Sequence, residues 1–475
     1  MKALPQHFTE RMESLMSEQY TAFIDSYNQP AWQGLRINPL KSSVEQFLRT
    51  NPFALLPVAW CPTGFSYSSE QRPGKHPYHA CGLYYLQEPS AMVAAEALAA
   101  EPGERVLDLC AAPGGKSTQI AGMMQQNGLL VTNEIHPARV KALSENIERL
   151  GITNAIVTNE TPERLMARFP TFFDRILVDA PCSGEGMFRK LPEAVEDWSE
   201  AKVLECHHMQ TDILDAAAAM LKPGGVLVYS TCTFSPLENE QSVADFLQSH
   251  PEFELDNLQD HSLFAPGEPA WANPPLAELS RTARLWPHLL HGEGHYLARM
   301  RKQADADTHH KDVSTAFAVA GKLKKKADKP LAGLLEAVGL WRDFCREVLP
   351  GLEVELLEPS SFTLFGEHLY LLPAEAPDLA GLKVARAGWQ LGTLKKGRFE
   401  PSHALALGCQ ADHAARTADF AADAPEVVRY LKGESLQVSG EKGWTLITVD
   451  GFPLGWGKQV DGQLKNHYPK GLRWL

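Results

Sequence analysis

A chain of 475 residues is too long for one hydrophobic core and implies two to four domains. Its 44% apolar and 22% charged residues are ordinary for a globular protein, and no apolar run approaches the roughly 20 residues of a membrane span, which argues against an integral membrane protein. The formal charge of −13 argues against a grip on nucleic acid by the whole surface, although basic clusters occur at Gly321–Lys329, at Lys395–Arg398 and from Lys458 onward.

The eight cysteines are scattered and never form a CxxC pair, which disfavours both a zinc centre and a disulfide framework. The N-terminus, MKALPQHFTERMESLM, lacks the apolar core of a signal peptide. A cytoplasmic protein without bound metal or membrane contact is expected. His207 and His208 fall on a predicted helix surface with no ligand spacing.

In chain order, Phe8, Met12, Met16, Tyr20 and Phe23 recur at helical spacing, GLRINPLK (Gly34 to Lys41) is strand-like, and Val44–Arg49 predicts a short helix. Residues 1–85 are expected to form an N-terminal domain packed on a second unit, residues 86–302, with Arg36 and Asn38 in that packing. The Ala-rich stretch Ala91–Ala100 predicts a helix near the start of the second unit.

RVLDLCAAPGGKS (Arg105 to Ser117) is a buried strand, a small-residue turn and a helix start. Small residues let the backbone approach a ligand, and amides at a helix N-terminus offer hydrogen bonds. About twenty residues on, a second strand ends in Glu134, suited to accept hydrogen bonds from ribose hydroxyls. Gly115, Lys116 and Ser117 fit the end of a P-loop, but Cys110 stands where its first Gly belongs, and GxGxxG is absent. The turn alone leaves a nucleotide-like ligand and a purely structural turn both open.

Alternation continues with a helix at Pro137–Leu150, strands at Ala155–Val157, Ile176–Val178 and Val226–Tyr229, a helix at Glu238–His250, and a hairpin within Arg284–Met300. The pattern predicts an α/β fold with a sheet of about seven strands and helices on both faces. Residues 303–330 turn polar and basic and are expected to be a linker. A first C-terminal domain is expected at 331–400, with a helix at Leu331–Leu349, a hairpin at Phe362–Leu372 and a strand within Leu382–Gly392. A last module occupies 401–475. Its tail carries Lys458, Lys465, His467, Tyr468, Lys470, Arg473 and Trp474, the mixture of cations and aromatics that suits nucleic acid. A small β-domain with a solvated edge would look similar.

The stretch from Arg175 to Thr233 organises the chain. RILVDAPCSGEG and GGVLVYSTCT each run as a strand that breaks on small residues, with helical character between them. Ligand crevices of parallel sheets lie beyond the carboxyl ends of the strands. Cys182 and Cys232 therefore fall just past two strand tips, with Asp179 beside the first. Isolated cysteines are mostly packing residues, and Cys61, Cys81, Cys206, Cys345 and Cys409 are assigned that role.

The blocks DLCAAPGGKS (Asp108 to Ser117), DAPCSGEG (Asp179 to Gly186), YSTCT (Tyr229 to Thr233), YLQEPSAM (Tyr85 to Met92) and MFRK (Met187 to Lys190) together resemble the NOL1/NOP2/Sun family of RNA cytosine-5 methyltransferases, over roughly residues 1–302. RLWPH, GHYLARM and a tail ending LKNHYPKGLRW look most like its bacterial small-subunit rRNA methyltransferase F branch. The resemblance implies a Rossmann-like methyltransferase sheet, S-adenosylmethionine as methyl donor, 16S rRNA as partner, free or within the small subunit, and a PUA-like RNA-binding module at the end. A monomer is expected. Cys110, Ala111, Ala112, Pro113, Gly114, Gly115 and Lys116 would line the donor's methionine and ribose, and Glu134 would hold the ribose hydroxyls. Asp179 would lie between donor and target base. The family often has an Asp near the adenine after the third strand. Here that place has TNETPERL, so Asn159, Glu160 or Thr161 would substitute, with Thr161 chosen. Lys190, Lys465, Lys470 and Arg473 would contact RNA.

The chemistry accounts for two thiols and a carboxyl group. Cytosine C5 is a poor nucleophile until a thiolate adds at C6 and makes C5 enamine-like. An acid at N3 stabilises that adduct, which suits Asp179. A base must then take the C5 proton so that the thiolate can leave. Residues alone do not rank the two cysteines. The resemblance implies Cys232 as nucleophile and Cys182 as the group assisting release. Other readings are a tRNA substrate, a P-loop NTPase, and a non-catalytic RNA-binding protein on the same scaffold.

Overall fold

The structure, a computed structural model, describes residues 3–258, 263–304, 328–353 and 357–475. Two N-terminal helices, Gln6–Met16 and Tyr20–Ser26, match the predicted periodicity, interrupted by a single turn at Ser17 with φ 48°. Their apolar stripe buries Phe8, Met12, Met16 and Phe23 against Phe188, Trp198, Phe234 and Trp286, so the first helices pack on the segments that carry the two cysteine blocks.

Strands β1 (Gln33–Ile37), β2 (Leu55–Val58), β3 (Cys61–Tyr67) and β4 (Tyr84–Leu86) form a small sheet in the order β2-β3-β1-β4. Arg36 and Asn38, both buried, do join the N-terminal part to the second unit. Arg36 donates to the Gly115 carbonyl (2.9 Å), and Asn38 to the carbonyls of Gly82 and Leu150 (2.9 Å each).

The central sheet comes next: β5 (Arg105–Asp108), β6 (Leu129–Asn133), β7 (Ala155–Thr158), β8 (Phe173–Asp179) and β9 (Leu221–Thr231), then the short β10 (Phe253–Leu255), β11 (Ala265–Pro266), β12 (Ala283–Leu285) and β13 (His295–Lys302). The parallel order is β9-β8-β5-β6-β7, so the chain runs from β5 outward one way and returns to β8 on the other side. That reversal between β5 and β8 is the topological switch point, where crevices form in open α/β sheets. β12 and β13 make the predicted antiparallel hairpin, with β13 on β9. The seven expected strands are present, and β10, β11 and one further strand extend the sheet to ten. One local difference matters. The first turn of the helix expected at Glu238–His250 is a π-turn, Leu237–Gln241, which runs into the α-helix Ser242–Ser249.

Beyond residue 327 the helix Asp328–Val348 packs Trp341 and Phe344 against a second small sheet. Its strands are β14 (Phe362–Phe365), β15 (His368–Leu371), β17 (Trp389–Lys395) and β18 (Arg398–Pro401). The linker expected at 303–330 lies mainly outside the described residues, and 328–330 already belong to the helix. The strand expected within Leu382–Gly392 is divided. β16 (Val384–Ala387) pairs with β7 and becomes the edge of the central sheet, whereas β17 belongs to the small one. The corner is Gly388, at φ 110°, where a Cβ would lie 2.4 Å from the Leu371 carbonyl.

Strands β19 (Thr417–Phe420), β20 (Gly443–Val449), β21 (Phe452–Val460) and β22 (Gln463–Asn466) form the last sheet. Its core is shared with the N-terminal sheet: Val427, Tyr430, Leu431, Ile447 and Leu454 pack with Leu35, Ile37, Phe47 and Tyr78. Tyr468, one of the aromatics read as a nucleic-acid contact, is buried in that core at 5% exposure and cannot stack on a base. Among the described residues no helix is long and apolar enough to cross a membrane.

Candidate active site

The tips of β5, β6, β8 and β9 build the site. After β5 the turn Cys110–Gly114 is held from several sides. The Ala111 amide donates to the Asn133 carbonyl (2.8 Å), Arg139 donates to the Ala112 carbonyl (2.7 Å), and Asn146 to that of Pro113 (2.9 Å). Gly114, at φ 109°, turns the chain into the helix Gly115–Met124. Burial pushes the Cys110 thiol up, which makes it a packing group in this turn.

Lys116, in the first turn of that helix, places Nζ 2.7 Å from Asp179 Oδ2. Ser230 Oγ, opposite Asp179 in the β8–β9 register, donates to Oδ1 (2.7 Å). Burial alone would raise the Asp179 carboxyl, but Lys116, His295 and Ser230 outweigh it and hold the group below its usual range. Lys116 is held above its own range by the same pair, against burial. Asp108 lies beneath, fully buried, with Oδ2 accepting from Ser117 Oγ (2.6 Å) and Oδ1 without a partner among the described residues. Burial pushes it to about 7.

The Sγ atoms of Cys182 and Cys232 are 3.4 Å apart, and both cysteines are free. Parallel pairing of β8 with β9 brings their loops together, and the Gly186 amide ties them by donating to the Cys232 carbonyl (2.8 Å). The contact with Cys232 raises the Cys182 thiol well above its ordinary value, with burial and Glu238 adding to it.

The π-turn after β9 was not legible as functional, yet its three central residues, Glu238, Asn239 and Glu240, are fully buried. Glu238 accepts from the Ser183 amide (2.7 Å), from Ser183 Oγ (2.5 Å) and from Thr233 Oγ1 (3.1 Å), so one carboxylate spans the neighbours of both cysteines. Asn239 accepts from Thr231 Oγ1 (2.6 Å) and donates to the Thr233 carbonyl (3.0 Å). Glu240 pairs with buried Arg284. Three consecutive polar residues span about 200° of a helix and fit an ordinary solvated face, so the local pattern carried no signal for them. Arg189, next to the predicted Lys190, was also missed. Its guanidinium is buried against Glu293 (2.7 Å) and donates to the Ser26 and Gly292 carbonyls. His295, 4% exposed, has Nδ1 3.4 Å from Ser90 Oγ, and burial with Lys116 nearby lowers its pKa.

Other sequence candidates divide. Glu134 ends β6 at 2% exposure, with Oε1 accepting from the His136 amide (2.9 Å) and Oε2 3.3 Å from Arg139. Thr161 caps the helix Pro162–Arg168, its hydroxyl accepting from the Arg164 amide (3.4 Å). Lys190, Lys465 and Lys470 are exposed, and Arg473 is half-buried against Gly433. No group of His, Cys, Asp and Glu among the described residues could hold a metal.

The family model described as "16S rRNA methyltransferase RsmB/F" matches residues 95–301, and "N-terminal domain of 16S rRNA methyltransferase RsmF" matches 4–89. "RsmF rRNA methyltransferase first C-terminal domain" matches 343–409, and "Methyltransferase RsmF PUA domain" matches 417–474. The ribosomal RNA small subunit methyltransferase F of Vibrio vulnificus strain YJ016 is 34% identical, over 99% of this chain and 97% of its own. That of Aeromonas hydrophila subsp. hydrophila is 36% identical over the same shares. A crystal structure of a methyltransferase homolog protein from Pyrococcus horikoshii is 29% identical, with TM-score 0.57 over 63% of this chain and 95% of that one. Family models over all four parts and relatives matched end to end lead to one conclusion: the chain belongs to the ribosomal RNA small subunit methyltransferase F family.

Proposed function

We propose that this protein methylates C5 of a cytosine in 16S rRNA, using S-adenosylmethionine and a transient bond between Cys232 and C6 of the base. The observation that carries the reading is the approach of two free thiols to 3.4 Å beyond strands whose shared register also pairs Asp179 with Ser230.

The turn after β5 fits the donor. Glu134 offers a carboxylate at the β6 tip for a ribose diol, Asp108 keeps a buried oxygen without a partner among the described residues, and Gly114 gives the backbone room. Cys110–Lys116 and Glu134 would hold S-adenosylmethionine there, and it would supply the electrophilic methyl group for C5. Cys232 Sγ bonds to C6, and the C5=C6 electron pair moves towards C5 and the ring. Asp179, held ionised by Lys116, accepts from the base's exocyclic amine. It can hand a proton to N3 only after taking one from solvent, since Lys116, held above its own range by the same ion pair, keeps its proton. After transfer a base removes the C5 proton, the C–H pair restores C5=C6, and Cys232 leaves as thiolate. The resemblance that names Cys232 as nucleophile leaves Cys182, with its Sγ 3.4 Å from that of Cys232, to assist this release. The cytosine must leave its stack to meet both sulfur and donor.

The last sheet supports RNA binding. Lys458 and Lys465 are directly opposite each other across β21 and β22, a like-charge pair that an anionic backbone would relieve. The free cysteines suit a reducing cytoplasm, and 1–85, 86–302, 331–400 and 401–475 are retained as the proposed domains, with the first C-terminal one extended back to Asp328.

Bisulfite sequencing of RNA from cells with and without the gene tests the reading. A 16S rRNA cytosine that loses protection without the gene is the expected result. Loss at a tRNA position instead would move the substrate, and no change anywhere would reject the enzyme.

A further inference from the structure

The C-terminal third reaches the proposed donor site through the edge of the central sheet. Strand β16 comes from residues beyond 327, yet it pairs with β7 at the edge of the central sheet. The pairing continues past the strand ends. The Asn159 amide donates to the Lys383 carbonyl (2.8 Å), and the Lys383 amide donates to Glu160 Oε1 (2.7 Å). Glu160, 2% exposed, also binds Arg164 through Oε2 (2.8 Å), and Arg164 donates to the Gly381 carbonyl (2.7 Å). Arg168 pairs with Asp378 (3.1 Å).

From the β7 tip the contacts pass to the donor turns. Asn159 Nδ2 donates to the carbonyls of Glu134 (2.7 Å) and Ile135 (2.9 Å). Asn133, buried at the β6 tip, donates to the Glu160 carbonyl (3.0 Å) and to that of Leu109 (3.2 Å), and accepts from the Glu160 amide (3.0 Å). The Asn133 carbonyl receives the Ala111 amide. Lys383 thus stands behind the β7 tip, which holds the β6 tip, which holds the turn after β5. Every link is a hydrogen bond to a backbone group, and such bonds fix position closely when buried.

We infer that strand β16, through Lys383 and Glu160, is a positioning element of the donor site, so that affinity for the methyl donor depends on the C-terminal third and not on residues 86–302 alone. The inference rests on the donor reading above. It gives the first C-terminal domain a task besides any contact with RNA: it clamps the loop from which the adenine end of the donor would be held. Glu160 acts here through its neighbours.

The test is calorimetric titration of the full chain with S-adenosylhomocysteine, without RNA. Glu160→Ala, which deletes the acceptor for Lys383, should weaken binding roughly tenfold, about 1.4 kcal/mol. Lys383→Pro, which deletes the donor, should also weaken binding, and the double variant should weaken it no further than Glu160→Ala, which already lacks that bond as well as the pair with Arg164. Glu160→Gln keeps the acceptor and should stay within roughly threefold of the parent. Arg164→Ala removes a half-exposed clamp at little risk to folding and should weaken binding roughly threefold. Parent-like affinity in Glu160→Ala and Lys383→Pro, or in Arg164→Ala if those do not fold, overturns the inference alone. A parent chain that binds no S-adenosylhomocysteine overturns the donor reading and the inference with it.

Discussion

Cys182 and Cys232, fifty residues apart in the chain, bring their sulfur atoms to 3.4 Å without being bonded. A disulfide needs about 2.05 Å between sulfurs, so a modest loop movement closes it. Hydrogen peroxide should therefore link them, with two thiol hydrogens lost and the peroxide reduced to water. Mass spectrometry of the digested protein should show the 182–232 crosslink as activity falls, and dithiothreitol should restore both. Inactivation with both thiols still free would mean that the loops do not approach in solution.

The two sulfurs should differ in what their loss does. Cys232→Ala should abolish methylation while leaving S-adenosylhomocysteine binding within about twofold, since the proposed donor turn lies on β5 and β6. Cys182→Ala should instead accumulate a protein–RNA adduct that survives denaturing electrophoresis. An adduct in the Cys232 variant, and none in the Cys182 variant, would exchange their roles.

Buried carboxyl groups give the fold a pH dependence with a definite sign. Asp108 and Glu238 are pushed to about 7 from ordinary values of 3.8 and 4.5, chiefly by burial. Between those limits the folded chain holds more protons than the unfolded one, so their contribution to stability is complete below about pH 4 and declines as pH rises to about 7. Asp108→Asn removes one such group without changing its shape. In urea denaturation its stability relative to the parent should improve by about 2–4 kcal/mol between pH 5 and pH 8. A constant difference across that range would show that Asp108 does not titrate there.

The opposed Lys458 and Lys465 should contribute to RNA affinity through counterion release. Replacing each by Gln should lower the slope of log affinity against log salt by about 0.7, with little change in sequence preference. Deleting the whole C-terminal third is a poorer test, because it also strips β16 from β7. An unchanged slope in both variants would return this face to a solvated sheet edge.

Much of the central sheet was legible because its strands are short apolar runs ending in small residues, a local pattern. The same locality placed Asp179, Cys182 and Cys232 at strand tips and Lys116 at a helix start. Tyr468 was misread because a tail of cations and aromatics looks alike whether its rings face water or fill a core. Burial is decided by Tyr430 and the N-terminal sheet, and the tail itself carries no sign of them. Glu238 was taken for an ordinary helical residue, since nothing near it announces that Ser183, fifty-five residues earlier, supplies two of its donors.

The sequence by itself determined the alternation of the fold, the family and the set of reactive groups, because each is written in contiguous residues. The tertiary structure alone decided that two cysteine loops meet at 3.4 Å, that the π-turn spans them, and that β16 closes the central sheet. Those facts depend on hydrogen bonds and strand pairings between segments far apart in the chain, whose energies no local pattern encodes.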